Sequence, residues 1–136
     1  MLNEDVNKAL NDQINAEIYS SYLYLAMAAH CYNRELSGFA GWFKIQAQEE
    51  LVHVAKFFNY INERGGKVEL AAVDAPTQEW DTPLAIFEEA LAHEQHVSAR
   101  VNNLVEVAVG AKDRMTENFL QWFVAEQVEE EASFSE

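Results

Sequence analysis

The chain contains few residues that interrupt a helix and few that bind a polyanion. Two Pro and five Gly among 136 residues favour helices as the main secondary structure. Nine Lys and Arg stand against 23 Asp and Glu, which gives a formal net charge of −14. Nucleic-acid binding requires Lys and Arg to neutralise phosphates, so we expect no nucleic-acid partner. A chain this acidic should attract cations instead.

Cysteine, a secretory signal and long apolar runs are also scarce or missing. The single cysteine, Cys31, excludes an internal disulfide and fits a reducing compartment. Residues 1–5 show neither the basic nor the apolar segment of a secretory signal. No stretch approaches the roughly 18 apolar residues that a membrane span needs. We therefore expect a cytoplasmic protein with no membrane partner.

The periodicity of apolar residues predicts four helices in one domain, residues 1–136. The predicted helices cover residues 3–32, 37–64 and 83–110, and the fourth runs from Asp113 or Thr116 to the chain end. Predicted N-caps are Asn3, Ser37 and Thr82, the last with Pro83 at the first helical position. Gly65-Gly66 and Gly110 are predicted to end the second and third helices.

The lengths of the connections predict the topology. The short turns make two antiparallel helix hairpins. The connection over residues 65–82 is too long for a hairpin and long enough to run the length of a bundle. The expected fold is an all-α four-helix bundle with a long crossover, in which the second and third helices are parallel.

Each helix carries a carboxylate on the face that should point inward. Stepping three and four residues, the four inward stripes start at Leu10, Phe39, Leu84 and Leu120. Their interruptions are Glu17, Glu50, Glu94 and Glu130, with His53 one turn after the second. Buried Glu is rare unless it is paired or binds a metal. Four acids at comparable depth would repel one another, and a multivalent cation is the simplest way to hold them together.

The ligand types favour iron or manganese. Glu50 and His53 form a Glu-x-x-His pair, while Gln127 and Glu130 occupy the same spacing on the fourth helix. Carboxylate-rich sets suit these metals better than structural zinc, which prefers Cys and His. Dinuclear bundles commonly carry two Glu-x-x-His pairs. A single His predicts weaker, asymmetric binding, which suits metal in transit.

Further acids lie beside the stripes. Glu49, Glu126 and Glu129 are adjacent to these positions or one turn away from them. An isolated acid next to a stripe is usually solvated. Together with Glu130, however, the three predict a third metal position made only of carboxylates.

Three segments resemble the non-haem ferritins of bacteria and archaea. They are residues 15–20 (NAEIYS), 48–53 (QEELVH) and 119–131 (FLQWFVAEQVEEE). The resemblance implies iron storage and detoxification by a ferroxidase, in which Fe(II) is oxidised by dioxygen or peroxide at a dinuclear centre. Ferric mineral would then collect inside a 24-subunit homo-oligomeric shell.

The same resemblance assigns roles to residues. It places the first iron at Glu17, Glu50 and His53, and the second at Glu50 (bridging), Glu94 and Glu130, with Gln127 close by. It places a third iron at Glu49, Glu126, Glu129 and Glu130. Tyr24 matches the family's tyrosine beside the centre, where it either donates an electron or anchors a carboxylate by a hydrogen bond.

The departures and alternatives are as follows. These ferritins continue past the position of Glu136 with more of the fourth helix and a short fifth helix, so the fifth helix is expected to be absent.

Haem binding would need a methionine where Leu51 and Val52 stand, so no haem is expected. A di-iron oxidase or oxygenase acting on a small organic substrate is the alternative function. The remaining histidines, His30, His93 and His96, are interpreted as surface or loop residues rather than ligands.

Overall fold

The computed structural model describes residues 1–135, and over that range it contains four α-helices and no strand. The helices are α1 (Glu4–Asn33), α2 (Ser37–Glu63), α3 (Pro83–Gly110) and α4 (Arg114–Ser135). These bounds follow the predicted ones closely, and the all-α prediction is confirmed. Among the described residues, none of the helices combines the length and the apolar character needed to cross a membrane.

Side-chain caps begin two of the helices as predicted. The Asn3 side chain accepts hydrogen bonds from the backbone N–H of Asp5 (2.8 Å) and Val6 (3.3 Å). Thr82 accepts from the backbone N–H of Ala85 at 3.1 Å, with proline at the first helical position. Both satisfy N–H groups that have no partner inside the helix.

The predicted cap of α2 is wrong. Leu36, not Ser37, occupies the N-cap position, and it makes no side-chain cap hydrogen bond. Backbone hydrogen bonds set this turn instead, because Leu36 N–H donates to the Cys31 carbonyl at 2.8 Å. Glu35 takes a left-handed conformation (φ 60°) that allows the reversal.

Glycine ends α2 as predicted, and for two separate reasons. Gly65 has φ 73°, and Gly66 N–H donates to the Ile61 carbonyl at 2.8 Å, which closes the last turn. A Cβ on Gly66 would lie 2.3 Å from the Asn7 side chain and 2.9 Å from that of Leu2. Glycine is therefore required at 66 because the start of α1 packs directly on this turn.

α3 ends at Gly110, as predicted. The left-handed position in the turn that follows belongs to Lys112, with φ 58°. Asp113 N–H reaches back to the Ala108 carbonyl at 2.9 Å and closes the helix.

The connection over residues 64–82 runs along α1. Asparagine side chains one turn apart on α1 hydrogen-bond to its backbone, and the pairs are Asn7 and Asn11 with Lys67, Asn11 with Glu69, and Asn15 with Ala72. Further on, Trp80 packs edge-on against His30 near the far end of α1. α3 therefore starts where α1 ends and runs parallel to α2, as predicted. His30, expected on the surface, is 7% exposed beneath the crossover.

Two apolar clusters fill the bundle. One lies at the end where α1 finishes and includes Leu23, Tyr24, Met27, Ala28, Cys31, Ala40, Phe43, Ala47, Trp80, Ile86, Ala90 and Phe134. The other lies at the opposite end and includes Val6, Leu10, Ile14, Phe57, Ile61, Val97, Val101, Leu104, Ala108, Leu120 and Phe123. The four inward Glu side chains lie between the two clusters along their helices.

The inward stripes of α2 and α3 start later than predicted. Phe39 and Leu84 are 43% and 66% exposed. Ala40 and Ile86 are buried in their place. On α3 the difference continues past the first turn, because buried residues there precede predicted ones by one position. Ala90, Val97 and Leu104 are buried, whereas Leu91, Ser98 and Val105 are half-buried.

A polar network joins the end of α2 to the start of α4. Thr116 is 1% exposed. Its backbone N–H donates to Asp113 Oδ1 at 3.1 Å, and its hydroxyl donates to Asp113 Oδ2 at 2.6 Å. Arg64 donates to Asp113 Oδ1 at 3.2 Å and to the Tyr60 hydroxyl at 2.6 Å. Asp113 is thus both the N-cap of α4 and the partner of the one charged side chain in this network on α2.

Replacing Asp113 tests whether this network holds the two helices together. We expect Asp113→Ala to lower the free energy of unfolding by about 1–2 kcal/mol, because it removes a helix cap and the carboxylate that accepts from Thr116 and Arg64. Asp12→Ala removes the same charge from an exposed pair with Lys8 and should cost less than about 1 kcal/mol. Urea unfolding of the metal-free protein would measure both, and equal losses would contradict the assignment.

Candidate metal centre

Five ionisable side chains form a layer across the middle of the bundle, here called the acid layer. Its members are Glu17 on α1, Glu50 and His53 on α2, Glu94 on α3 and Glu130 on α4. Each is between 0% and 5% exposed. Helical spacing places each of them on the inward face, since residues one turn before and after it on the same helix are buried.

Within the acid layer, two groups of three share one carboxylate. Glu17, Glu50 and His53 offer ligand atoms that all lie within 4.8 Å of one another. Glu50, Glu94 and Glu130 form a second group by the same measure. The shared residue, Glu50, is therefore positioned to bridge two cations.

Several buried polar atoms in the acid layer have no hydrogen-bond partner among the described residues. They are Glu17 Oε2, His53 Nδ1 and Glu130 Oε2. His53 Nδ1 lies 3.2 Å from Glu50 Oε2 and 3.5 Å from Glu17 Oε2. A buried polar atom without a partner is costly, and lone pairs that converge from different helices fit a cation. The oxygen-rich donor set with one imidazole suits iron or manganese.

Neutral donors bind one oxygen of Glu17 and both oxygens of Glu94. Gln13 Nε2 donates to Glu17 Oε1 at 3.0 Å, and the Tyr24 hydroxyl donates to Glu94 Oε1. Gln127 Nε2 donates to Glu94 Oε2 at 3.1 Å. Such bonds fix the orientation of a ligand before a metal arrives.

Of these donors, Tyr24 was predicted from the sequence and Gln13 was not. The hydrogen bond of Tyr24 to Glu94 is one of the two roles expected for that residue. Gln13 was not identified, although it is 2% exposed and lies four residues before Glu17 on the same helical face.

The electrostatics of the acid layer favour bound protons when no cation is present. Burial raises the pKa of Glu50 well above its usual value and that of Glu94 above its usual value, in both cases despite hydrogen bonds that act the other way. Burial together with the nearby Glu94 raises the pKa of Glu130 from 4.5 to about 8. Three of the four inward carboxyl groups therefore bind protons more tightly than they would in water.

Glu17 and His53 behave as a charged pair. Burial alone would raise the pKa of Glu17, but its contacts with Glu50 and His53 bring it below the usual value. Burial alone would lower the pKa of His53, but Glu17 and Glu50 raise it from 6.5 to about 10. His53 is thus protonated at neutral pH and occupies the place where a cation would be held.

An opening of about 470 Å³ adjoins His53 on the side of α2 and α4. Its lining includes all four acids predicted to hold a third metal, which are Glu49, Glu126, Glu129 and Glu130. Glu126 comes within reach of Glu130 and His53 as a third possible metal group. Glu49 and Glu129 are exposed and line the wall without joining that group. The structure therefore brings two of the four acids together and leaves the other two beside them.

The histidines on either side of Glu94 point elsewhere. His93 is half-buried, lies 2.7 Å from the Ser20 hydroxyl and packs edge-on to Tyr24 with ring centres 6.0 Å apart. Burial lowers its pKa from 6.5 to about 4. His96 is exposed and accepts a hydrogen bond from Arg100. Among the described residues, neither joins a group that could hold a metal.

Known proteins share this arrangement over nearly the whole chain. An open-pore ferritin from the archaeon Archaeoglobus fulgidus superposes with a TM-score of 0.97 at 54% identity, covering 98% of this chain and 83% of that one. A humanized archaeal ferritin gives the same TM-score at 51% identity, with 98% and 81% covered.

Sequence relatives agree with the structural ones. The bacterial non-heme ferritin of Staphylococcus aureus is 46% identical over 134 residues, which is 98% of this chain and 81% of that protein. The protein of the same name from Bacteroides fragilis is 45% identical over 133 residues, with 98% and 84% covered. The family described as the ferritin-like domain matches residues 7–136. With the acid layer, the crossover and these relatives in agreement, the chain belongs to the ferritin family.

Proposed function

We propose that the chain is a single di-iron domain that oxidises Fe(II) to Fe(III) for storage. The observation that carries this is the pair of three-residue groups that share Glu50. Glu17, Glu50 and His53 bind the first iron. Glu50 as a bridge, Glu94 and Glu130 bind the second, with Gln127 beside it.

The acid layer favours oxidation because it stabilises the higher charge. Carboxylate oxygens are hard ligands and interact more strongly with Fe(III) than with Fe(II) in a site that excludes water. Two Fe(II) ions supply two electrons, which with two protons reduce dioxygen to hydrogen peroxide, or peroxide to water. Tyr24, hydrogen-bonded to Glu94, is placed to supply a further electron when only one iron is reduced.

The product leaves through the acidic opening. A single imidazole binds iron less firmly than the paired imidazoles of resident di-iron cofactors. Glu126 and Glu130, together with Glu49 and Glu129 on the wall of the opening, hold a third iron on its way out. An opening lined by acids suits a cation, whereas an organic substrate of an oxygenase would require an apolar pocket.

Storage requires many copies of the chain. The archaeal relative named above is an open-pore ferritin, and we propose that this chain likewise forms a shell, of 24 subunits as in the family. We place the protein in the cytoplasm, where a reducing environment keeps the buried free thiol of Cys31 unoxidised.

The first test measures aerobic iron oxidation. Fe(II) should be oxidised in a fast phase that saturates at about two irons per chain, as expected for a dinuclear site. Glu50→Ala and His53→Ala should lose at least about 10-fold in the fast rate, because each removes a ligand of the first iron. Glu106→Ala, which removes an exposed acid from α3, is the matched control. Unchanged fast phases in both ligand variants would refute the proposal, as would turnover of an organic substrate without accumulation of iron.

The second test addresses the third iron. Because Glu129 lies outside both three-residue groups, Glu129→Ala should keep the first fast oxidation and slow later turnovers or change the ratio of iron oxidised to oxygen consumed. Stopped-flow absorbance over repeated additions of Fe(II), with an oxygen electrode, measures both. Multi-turnover kinetics identical to wild type would show that Glu129 is an ordinary solvated acid.

The third test uses pH and the metal-free protein. The raised pKa of Glu130 contributes stability below about pH 4.5 that is lost as pH rises through about 8. The raised pKa of His53 likewise contributes stability that is lost as pH rises, here between pH 6.5 and about pH 10. In chelator, the melting temperature should therefore fall from pH 6 to pH 9, and less steeply in Glu130→Gln.

A redox-inert divalent ion provides the comparison. Because it displaces these protons, Co(II) should bind more tightly as pH rises and raise the melting temperature most at pH 9. The pKa assignment would be contradicted if the melting temperature in chelator did not change between pH 6 and pH 9. It would also be contradicted if Glu130→Gln showed the same pH dependence as wild type.

A further inference from the structure

Gln127 is held by a hydrogen-bond chain that reaches from the acid layer to the outer part of α4. Its Nε2 lies 3.1 Å from Glu94 Oε2, 3.3 Å from the Glu94 carbonyl oxygen and 3.1 Å from Ser98 Oγ. The Ser98 hydroxyl donates in turn to Glu131 Oε2 at 2.5 Å. Glu131 itself is half-buried and joins none of the metal-capable groups found within residues 1–135.

Of the Glu94 carbonyl oxygen and the Ser98 hydroxyl, which both accept from Gln127 Nε2, only the hydroxyl can reverse the direction of its hydrogen bond. The carbonyl oxygen of Glu94 accepts and never donates, whereas a serine hydroxyl can do either. A hydroxyl has one hydrogen, and Glu131 receives it from Ser98. Ser98 can therefore only accept from Gln127, so the side-chain nitrogen of Gln127 must face Ser98 and Glu94.

The orientation of this amide decides what it presents to Glu94. Nε2 donates to Glu94 Oε2 and so orients a carboxylate that is proposed to bind iron. Oε1 makes no hydrogen bond within the part of the chain that the structure describes. A half-turn of the amide would put Oε1 in the place of Nε2, where it would repel the carboxylate because both groups only accept hydrogen bonds.

We propose that Ser98 and Glu131 are positioning residues that fix the amide of Gln127 with its Nε2 on Glu94, the carboxylate proposed to bind the second iron. The inference rests on the proposed function, because it takes Glu94 to bind that iron. Glu131 acts through the direction of the Ser98 hydroxyl and not through its own negative charge. Removing Glu131 frees the hydroxyl to donate to Gln127 Oε1 and so to favour the wrong orientation.

The test is a double-mutant cycle on metal affinity. Anaerobic titration with Co(II), followed by its visible absorption and by calorimetry, measures the two binding steps separately. Glu131→Ala should weaken the second step about 10-fold, the usual size of the effect when a residue that orients a ligand is lost. The first step should not change.

The other variants distinguish an effect of the direction of the Ser98 hydroxyl from an effect of the charge of Glu131. Ser98→Ala removes the group that can reverse its hydrogen bond, so it should weaken the second step less than Glu131→Ala does. The double variant should match Ser98→Ala, which means that the first substitution rescues the second. Ser98→Thr keeps the hydroxyl and should bind like wild type. Glu106→Ala, with the same loss of charge on an exposed site, should leave both steps unchanged.

Glu131→Gln keeps the size of the side chain and guards against misfolding of the alanine variant. Its amide can donate to Ser98 and so reverse the chain, which predicts a loss at the second step between those of wild type and Glu131→Ala. The inference would be overturned if Glu131→Ala and Glu131→Gln bound the second Co(II) as tightly as Glu106→Ala does. A double variant as weak as Glu131→Ala would also overturn it, because that result assigns the effect to charge. A wild-type protein that fails to bind two Co(II) ions per chain would instead refute the proposed function itself.

Discussion

Burial of four carboxyl groups and one imidazole in a common layer is the constraint on which the rest of the structure depends. Each charge removed from water costs several kcal/mol unless it is paired, and like charges add their mutual repulsion. The layer is therefore stable only when protons or cations occupy it. His53 and Glu130, with pKa values of about 10 and about 8, retain protons at neutral pH within this layer.

The bundle supplies the rigidity that this layer needs. Apolar clusters lie on both sides of it, the crossover is tied along α1, and Asp113 joins α2 to α4. Gln13 donates to one oxygen of Glu17, and Tyr24 and Gln127 donate to the two oxygens of Glu94. Because these donors are neutral, they orient Glu17 and Glu94 without adding a charge to the layer.

The sequence alone was sufficient for whatever depends on neighbours along the chain. Helical periodicity identified the inward faces of α1 and α4 and the depth of every acid on them. Caps such as Asn3 and Thr82 were predictable because a side chain and the N–H it accepts are only two or three residues apart. The length of the connection after Gly65-Gly66 predicted the crossover, since only a bundle-spanning path could use it. Iron as the cargo followed from ligand types and from the resemblance to ferritins.

Tertiary structure decided what depends on residues distant in sequence. Leu84 fits the inward pattern of α3 yet is 66% exposed, because Ile86 takes the buried position at the start of that helix. His30 is buried because Trp80 packs on it from the crossover. The direction of the hydrogen bonds from Gln127 through Ser98 to Glu131 depends on the relative rotation of α3 and α4. Periodicity determines which face of a helix points inward, but only packing between helices determines which atoms meet there, because a shift of about one ångström or a half-turn of an amide exchanges a donor for an acceptor.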